Sequence, residues 1–380
     1  MAWSVTLEKL IAFLRMHLVF ACCWPLASTA TKKRIIYDKL FRFFNGLHSM
    51  LMIFAVAYRI ISQYDNTLVI MQLGCVLGTL CEVPLQIFLF TQQHDRLQNV
   101  ISKMENYSKS ANLAERDVIQ RYINKNIAIY SVTLMLMTVT LVALILVPLV
   151  LAHPVVELEY PFSIDYQPMR GIIYLHQSFA LYQVYAQVCA TVFLALLLWF
   201  STARFEILGN KFRMATEYSD WQACIREHQE LLNLINHYRF TEQVTFSISH
   251  VTLSSLGVST VTVVFSGLTF LGQFPIFVKM QYSIVCCSSL AKVFLCTWPA
   301  DHLMSMSSYV GDAAYNSLWY EYGVAAQKIM LYTLLRAQRP VIVSVPGLVA
   351  ALSLQHYASY VSMAFSYLTS FRAILSNDVD

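Results

Sequence analysis

At 380 residues the chain is long enough for two soluble domains, yet only 13% of its residues are charged and 57% are hydrophobic, with a mean hydropathy of +0.53. A soluble surface needs roughly a quarter of its residues charged, so lipid is the solvent this composition fits. The net charge of +4 gives a nucleic-acid role no electrostatic support.

The first thirty residues resemble a leader only superficially. Lys9 and Arg15 are spread through the run, and Met16–Leu26 is too short to span. Trp24-Pro25 suits a turn at the membrane surface. The expectation is an interfacial or re-entrant helix within a cytoplasmic N-terminal segment, 1–39. Apolar runs of about 20 residues then place seven spans: S1 at about 40–62, S2 67–91, S3 127–151, S4 172–200, S5 244–272, S6 275–299 and S7 346–372. The inter-span segments 92–126 and 201–243 are polar with helical spacing, as in Leu231, Leu234, Ile235 and Tyr238, and read as helices extending the spans outside the membrane. Lysines and arginines crowd the segment before S1 and the S2–S3, S4–S5 and S6–S7 connections. That bias puts the N-terminus in the cytoplasm and, after seven crossings, the C-terminus outside. This is the reverse of a G-protein-coupled receptor, and no DRY-like triplet or NPxxY is present. The sequon Asn106-Tyr107-Ser108 falls on the cytoplasmic side and is expected to carry no glycan.

The chain lacks the constellations that carry catalysis. There is no GxGxxG, Walker loop, GxSxG or HExxH. Nine cysteines occur without a CxxC pair or a Cys/His ligand spacing, so neither a metal nor a disulfide framework is implied. No cofactor is expected, and no enzyme. Glu82 in S2 and Lys292 in S6 are the clearest ionisable groups inside spans; they face water, face a neighbouring helix, or pair.

The stretch from Asp301 to Leu375 is the most informative. It contains Ser308-Tyr309-Val310, Asp312-Ala313-Ala314-Tyr315 and Trp319-Tyr320, then Leu334-Leu335-Arg336-Ala337-Gln338-Arg339-Pro340, and later Ala364-Phe365-Ser366-Tyr367. These elements, in this order over about 75 residues, resemble the C-terminal signature of insect odorant receptors. The resemblance implies an all-α membrane protein forming one subunit of a ligand-gated, non-selective cation channel, a heterotetramer with the family's co-receptor. It makes 40–300 the transmembrane helices S1–S6 with an outer-leaflet ligand pocket, 301–343 the cytoplasmic anchor, and 344–380 the pore helix S7 with an extracellular C-terminus. Tyr309, Tyr315, Trp319, Tyr322 and Ile329 offer apolar and aromatic surface suited to the anchor. Pro346-Gly347 suits an entry turn into S7. Ser366, Ser370, Ala373 and Ile374 share one helical face and are the candidate pore lining.

This chain has Ser366-Tyr367 followed by Ala373-Ile374 where gustatory receptors carry a Thr-Tyr…Gln-Phe pattern, and 201–243 is too short for the co-receptor's insert. Both departures point to an odour-tuning subunit in the plasma membrane. An odorant, small and apolar, needs an apolar pocket with few polar anchors. Candidates are Met71, Cys75, Thr138, Val142, Ile145, Ser178, Leu181, Tyr182, Tyr185, Ser259, Thr262 and Val263, with Tyr182 and Tyr185 favouring aromatic or heteroaromatic volatiles. The rival readings are a seven-span receptor signalling through cytoplasmic proteins and a small-molecule transporter.

Overall fold

The structure, a computed structural model, describes residues 6–27, 30–151, 155–156, 158–160, 162, 166–232, 240–344 and 349–377. Eleven α-helices carry them: α1 (Leu7–Phe20), α2 (Lys32–Ser62), α3 (Thr67–Gln92), α4 (His94–Ser110), α5 (Leu113–Leu151), α6 (Met169–Met214), α7 (Tyr218–Leu232), α8 (Phe240–Leu271), α9 (Ile276–Tyr315), α10 (Val324–Ala337) and α11 (Leu354–Asn377). A single 3-10 turn, Trp319–Glu321, precedes α10. Among the described residues six helices, α2, α3, α5, α6, α8 and α9, are long and apolar enough to cross a bilayer. The seventh expected span falls on α11, whose 24 residues reach about 36 Å at 1.5 Å per residue.

Several helices overrun the expected spans. α5 starts at Leu113 instead of 127, α6 continues to Met214 past 200, and α9 passes through Pro299 to Tyr315. Leaving the bilayer removes the demand for apolar side chains but not the backbone's preference for its own hydrogen bonds. Pro299 costs α9 one such bond, but Leu295, Cys296, Ala300 and Leu303 around it are buried, and that packing holds the helix on course. The last helix begins later than expected, at Leu354, where the Asp301 carboxylate accepts a hydrogen bond from the Leu354 N–H at 3.2 Å. Pro346-Gly347 lies outside the described residues.

α6 is the axis of the bundle. From Tyr185 to Ala203 nearly every side chain is buried, as expected of a helix that is hydrophobic all round. α9 packs along its length, α5 flanks it, and α8 packs on both α3 and α9 at its side.

The N-terminal segment enters the bundle and leaves it on the same side. Leu7, Ile11, Leu14 and Leu18, one stripe of α1, are buried against the core around α6. His17 reaches Tyr182 well inside the bundle. The chain then reverses at Cys22, which holds a left-handed φ of 60°. Trp24 packs on Phe193 with centroids 5.2 Å apart, and the Leu26 N–H donates to His94 Nε2 at the α3–α4 junction, 2.9 Å away.

Below the spans the helix extensions are tied together by charge. Lys211 of α6 bridges Glu115 of α5 at 2.7 Å and Glu227 of α7 at 2.8 Å. Burial alone would depress the Lys211 ammonium, but the hydrogen bonds and charges of Glu115 and Glu227 outweigh it and hold its pKa above the ordinary value. Arg204 pairs with Glu227 and stacks 3.6 Å over the Tyr107 ring. Glu206 accepts from the Tyr122 hydroxyl at 2.6 Å and pairs with Arg121.

Candidate functional site

The twelve pocket candidates fall into two groups. Met71 and Cys75 of α3 and Ser259, Thr262 and Val263 of α8 are all buried in the seam between those helices. Two glycines one turn apart bring the backbones together. A Cβ on Gly74 would stand 2.9 Å from the Phe265 ring, and one on Gly78 3.3 Å from the Thr262 hydroxyl. The spacing Gly74-xxx-Gly78 is a sequence signal for close helix approach that the candidate set did not use. The Thr262 hydroxyl oxygen is buried here without a hydrogen-bond partner.

The second group lies on α5 and on the face of α6 turned towards it and towards α1. The Tyr185 hydroxyl is 3.1 Å from that of Thr138, and the Tyr182 hydroxyl is 3.3 Å from His17 Nδ1. His17 meets the Tyr185 ring edge-on at 5.3 Å, and Phe179 stacks on Tyr182 at 6.4 Å. Nearer the outer end the Tyr174 hydroxyl donates to the Ile145 carbonyl at 2.8 Å. Ser178 is half-buried with its hydroxyl oxygen enclosed and unpartnered, Leu181 is half-buried and Val142 is exposed. Ala180 and Val184, on the opposite face of α6, pack instead with residues of α2 and α3. Just inward of Thr138, an apolar cavity of about 40 Å³ separates Leu134 from Val192, Leu196 and Trp199. It is far below the several hundred Å³ of an ordinary ligand pocket. Sequence reasoning missed His17 and Phe179, which join this cluster only because α1 folds back onto α6.

Inward of the Gly74–Gly78 contact, Glu82 and Lys292 form an ion pair between α3 and α9. Ser255 of α8 donates to the same Glu82 oxygen at 2.6 Å, and Gln86 donates to it at 3.1 Å. Three helices therefore converge on one carboxylate, and Glu82 is only 2% exposed.

α11 has two faces. Tyr360, Ala364 and Leu368 pack inward, with Leu368 pressed against Gly267 of α8 and the Tyr357 hydroxyl donating to the Leu290 carbonyl of α9 at 3.3 Å. Ser359, Ser362, Ser366 and Ser370 lie on the exposed face. The hydroxyls of Ser366 and Ser370 donate back to the carbonyls of Ser362 and Ser366, so neither carries an unmet donor. Ala373 and Ile374 continue the helix, but their side chains lie outside the described residues.

In the segment read as an anchor, Tyr315 and Ile329 are exposed, as are Leu331, Tyr332 and Leu335. Tyr309, Trp319 and Tyr322 are half-buried on their own chain. Tyr309 covers Gly209 of α6, and the Tyr322 ring packs on Trp221 at 4.7 Å while its hydroxyl donates to the Thr216 carbonyl. Among the described residues no group of His, Cys, Asp or Glu could hold a metal ion.

The family model described as 7tm Odorant receptor matches residues 66–365. Among curated proteins, odorant receptor Or2 of Anopheles gambiae is 29% identical over 85 residues, 22% of this chain and 22% of its own length. Odorant receptor 67c of Drosophila melanogaster is 29% identical over 97 residues, 26% of this chain and 24% of its own. The matched segments thus span about a quarter or less of those relatives. Among solved structures, the insect olfactory receptor OR5 from Machilis hrabei in complex with eugenol superposes with a TM-score of 0.79 at 14% identity, covering 97% of this chain and 98% of that one. The same receptor described without eugenol gives 0.77 over 96% and 98%. At that identity the likeness is one of fold.

Proposed function

Because this chain belongs to the 7tm odorant receptor family, we propose that it is the odour-tuning subunit of an odorant-gated, non-selective cation channel. The channel is a heterotetramer with the odorant receptor co-receptor in the plasma membrane of olfactory neurons. The observation that carries the reading is α11. One face of that helix is packed on α8 and α9, and the other presents a line of serines left exposed among the described residues. A spanning helix with a hydroxyl-bearing outer face gains by turning it to water between subunits. Ser366 and Ser370, with Ala373 and Ile374 further along, line that path. Tyr315 and Ile329, with the exposed apolar residues of α10, supply surface for subunit contact, while Tyr309, Trp319 and Tyr322 brace it from within.

The odorant site is assigned to the outer half of the bundle. Tyr182 and Tyr185 offer ring faces, and the unpartnered hydroxyls of Ser178 and Thr262 are free to meet a ligand acceptor. A small aromatic volatile suits this lining, and the structural neighbour from Machilis hrabei was solved with eugenol. The odorant acts by binding the open arrangement of the bundle better than the closed one.

The test is whole-cell current from cells given this chain with and without the co-receptor, during pulses of a mixed odour panel that includes eugenol, with G-protein signalling blocked. A fast cation current that needs both subunits is the expected result. Silence, with both proteins at the surface and the co-receptor opening to its own agonist, would overturn the reading, and so would substrate uptake without current.

A further inference from the structure

A groove of about 530 Å³ runs between α1 and one turn of α4. Its walls are amphiphilic. Ile11, Met16, Val19 and Phe20 of α1 give it an apolar side, and Met16, Val19 and Phe20 are each about half exposed. Four charged residues complete it: Glu8 and Arg15 of α1, Glu105 and Lys109 of α4. Among the described residues none of the four forms an ion pair with another part of the chain; Arg15 instead stands 5.9 Å over the Trp24 ring. Two carboxylates and two cations are thus left facing one groove without neutralising one another.

The placement of α1 orients this groove in the bilayer. The start of α1 shares the groove with Glu105, Ser108 and Lys109 of α4 in the cytoplasmic layer, and the helix runs inward until His17 meets Tyr182. Phe20 therefore marks the deep end and Glu8 the shallow end. Glu8, Ala12, Arg15 and Val19 follow one another along one face at helical spacing. Arg15 lies roughly 10 Å deeper than Glu8 along the axis. Helical side chains lean towards the N-terminus, a lean that lets an arginine at this depth reach back towards the interface where phosphates lie, as a snorkelling arginine does.

An occupant must be apolar at the deep end and must bring both signs of charge to the shallow end. An odorant is apolar but offers no charge for four ionised groups. A singly anionic head group would leave Glu8 and Glu105 facing a phosphate. We propose that this groove binds a phospholipid of the cytoplasmic leaflet whose head group carries a phosphate and a primary ammonium, as phosphatidylethanolamine does. The phosphate pairs with Arg15 and Lys109, the ammonium donates to Glu8 and Glu105, and an acyl chain lies along Met16, Val19 and Phe20. A primary ammonium offers three N–H donors to two carboxylates; a quaternary choline offers none, and its binding calls for an aromatic cage that a single phenylalanine does not make.

The test uses the full chain in nanodiscs of phosphatidylcholine containing a small fraction of photoactivatable phosphatidylethanolamine, with adducts mapped by mass spectrometry. Adducts are expected on residues 7–20 and 105–109, displaced by unlabelled phosphatidylethanolamine and not by added phosphatidylcholine. Arg15→Gln and Glu105→Gln should each reduce labelling roughly tenfold, the effect of one charge-assisted contact. Lys9→Gln, on α1 but off the groove, should leave it unchanged. Each variant's melting temperature is read alongside, and Arg15→Lys, which keeps the charge, should recover most of the labelling if the fold is intact. Equal competition by phosphatidylcholine or phosphatidylglycerol, labelling spread evenly over the lipid-facing helices, or full displacement by soluble glycerophosphoethanolamine would each overturn the proposal.

Discussion

The two ends of the bundle are held together in different ways. In the cytoplasmic layer, Lys211, Glu115, Glu227, Arg204, Arg121 and Glu206 form ion pairs across α5, α6 and α7, and the Trp221–Tyr322 contact ties α7 to the turn before α10. In the outer half the helices meet through glycine, threonine and tyrosine, and buried polar atoms of Thr262, Ser178 and His176 are left without partners. Directional ion-pair networks favour one arrangement, even though a single atom such as Arg204 Nε goes unpartnered. Small-residue packing with unmet hydroxyls can be rearranged at low cost. The comparison teaches where a gated subunit keeps its shape and where it can answer a ligand.

The boundary between these two regimes is the sharpest place to break it. Glu82→Ala leaves the Lys292 ammonium, only 11% exposed, without its partner. A loss of about 3–5 kcal/mol is expected, read as a large fall in melting temperature and surface expression. The double replacement Glu82→Gln with Lys292→Met should recover most of it.

Acid should loosen the cytoplasmic layer selectively. His228 of α7 is 3% exposed, and burial, aided by the Arg336 charge, lowers its pKa from 6.5 to about 4. It is therefore neutral when folded, and the unfolded chain takes up the proton first. The stabilisation is complete above pH 6.5 and is lost as pH falls towards 4. By pH 5 the loss is about 2 kcal/mol. Thermal melts of purified protein between pH 7.5 and 5 check this, and His228→Gln should flatten the dependence.

Matched glycine substitutions weigh the two packings directly. Gly209→Ala puts a Cβ 2.6 Å from the Tyr309 ring, which is held by the Arg213 guanidinium over its face, so a cost of about 1–3 kcal/mol is expected. Gly74→Ala meets the Phe265 ring at 2.9 Å. Phe265 is half-buried and its ring can turn aside, so the expected cost is under about 1 kcal/mol, with a changed odour-response profile as the larger effect. A Gly74→Ala melt lower than that of Gly209→Ala would contradict the comparison. The smallest effect on stability belongs to Tyr332→Ser, at an exposed site on α10, expected to stay within about 0.5 kcal/mol. Its readout is weaker co-purification with the co-receptor.

Most of the span architecture was legible because lipid imposes a length and a polarity on each crossing, and α2, α3, α5, α6, α8 and α9 meet both. The helices run on past the inner span limits at 127, 200 and 299, in keeping with the polar segments read as extending them, because nothing in the composition stops a helix that passes from oil to water. The serine face of α11 could be read from spacing alone, since Ser362, Ser366 and Ser370 repeat every fourth residue. The Lys211 network could not, because Glu115 lies 96 residues away in the chain and only the fold brings it near. The same holds for His17, whose partner Tyr182 is 165 residues downstream. Local pattern reveals which face of a helix is apolar; which helix will cover that face is a property of the assembled chain.

That 165-residue separation has a consequence for biosynthesis. α1 leaves the ribosome before every helix it rests on. Until α6 has been made and inserted, the stripe Leu7, Ile11, Leu14 and Leu18 has only lipid to cover it. The segment must wait at the cytoplasmic face while the core is threaded, then swing in to seat His17 and Trp24 against α6. α1 is thus translated ahead of the helix it rests on and docks only after that helix is in place.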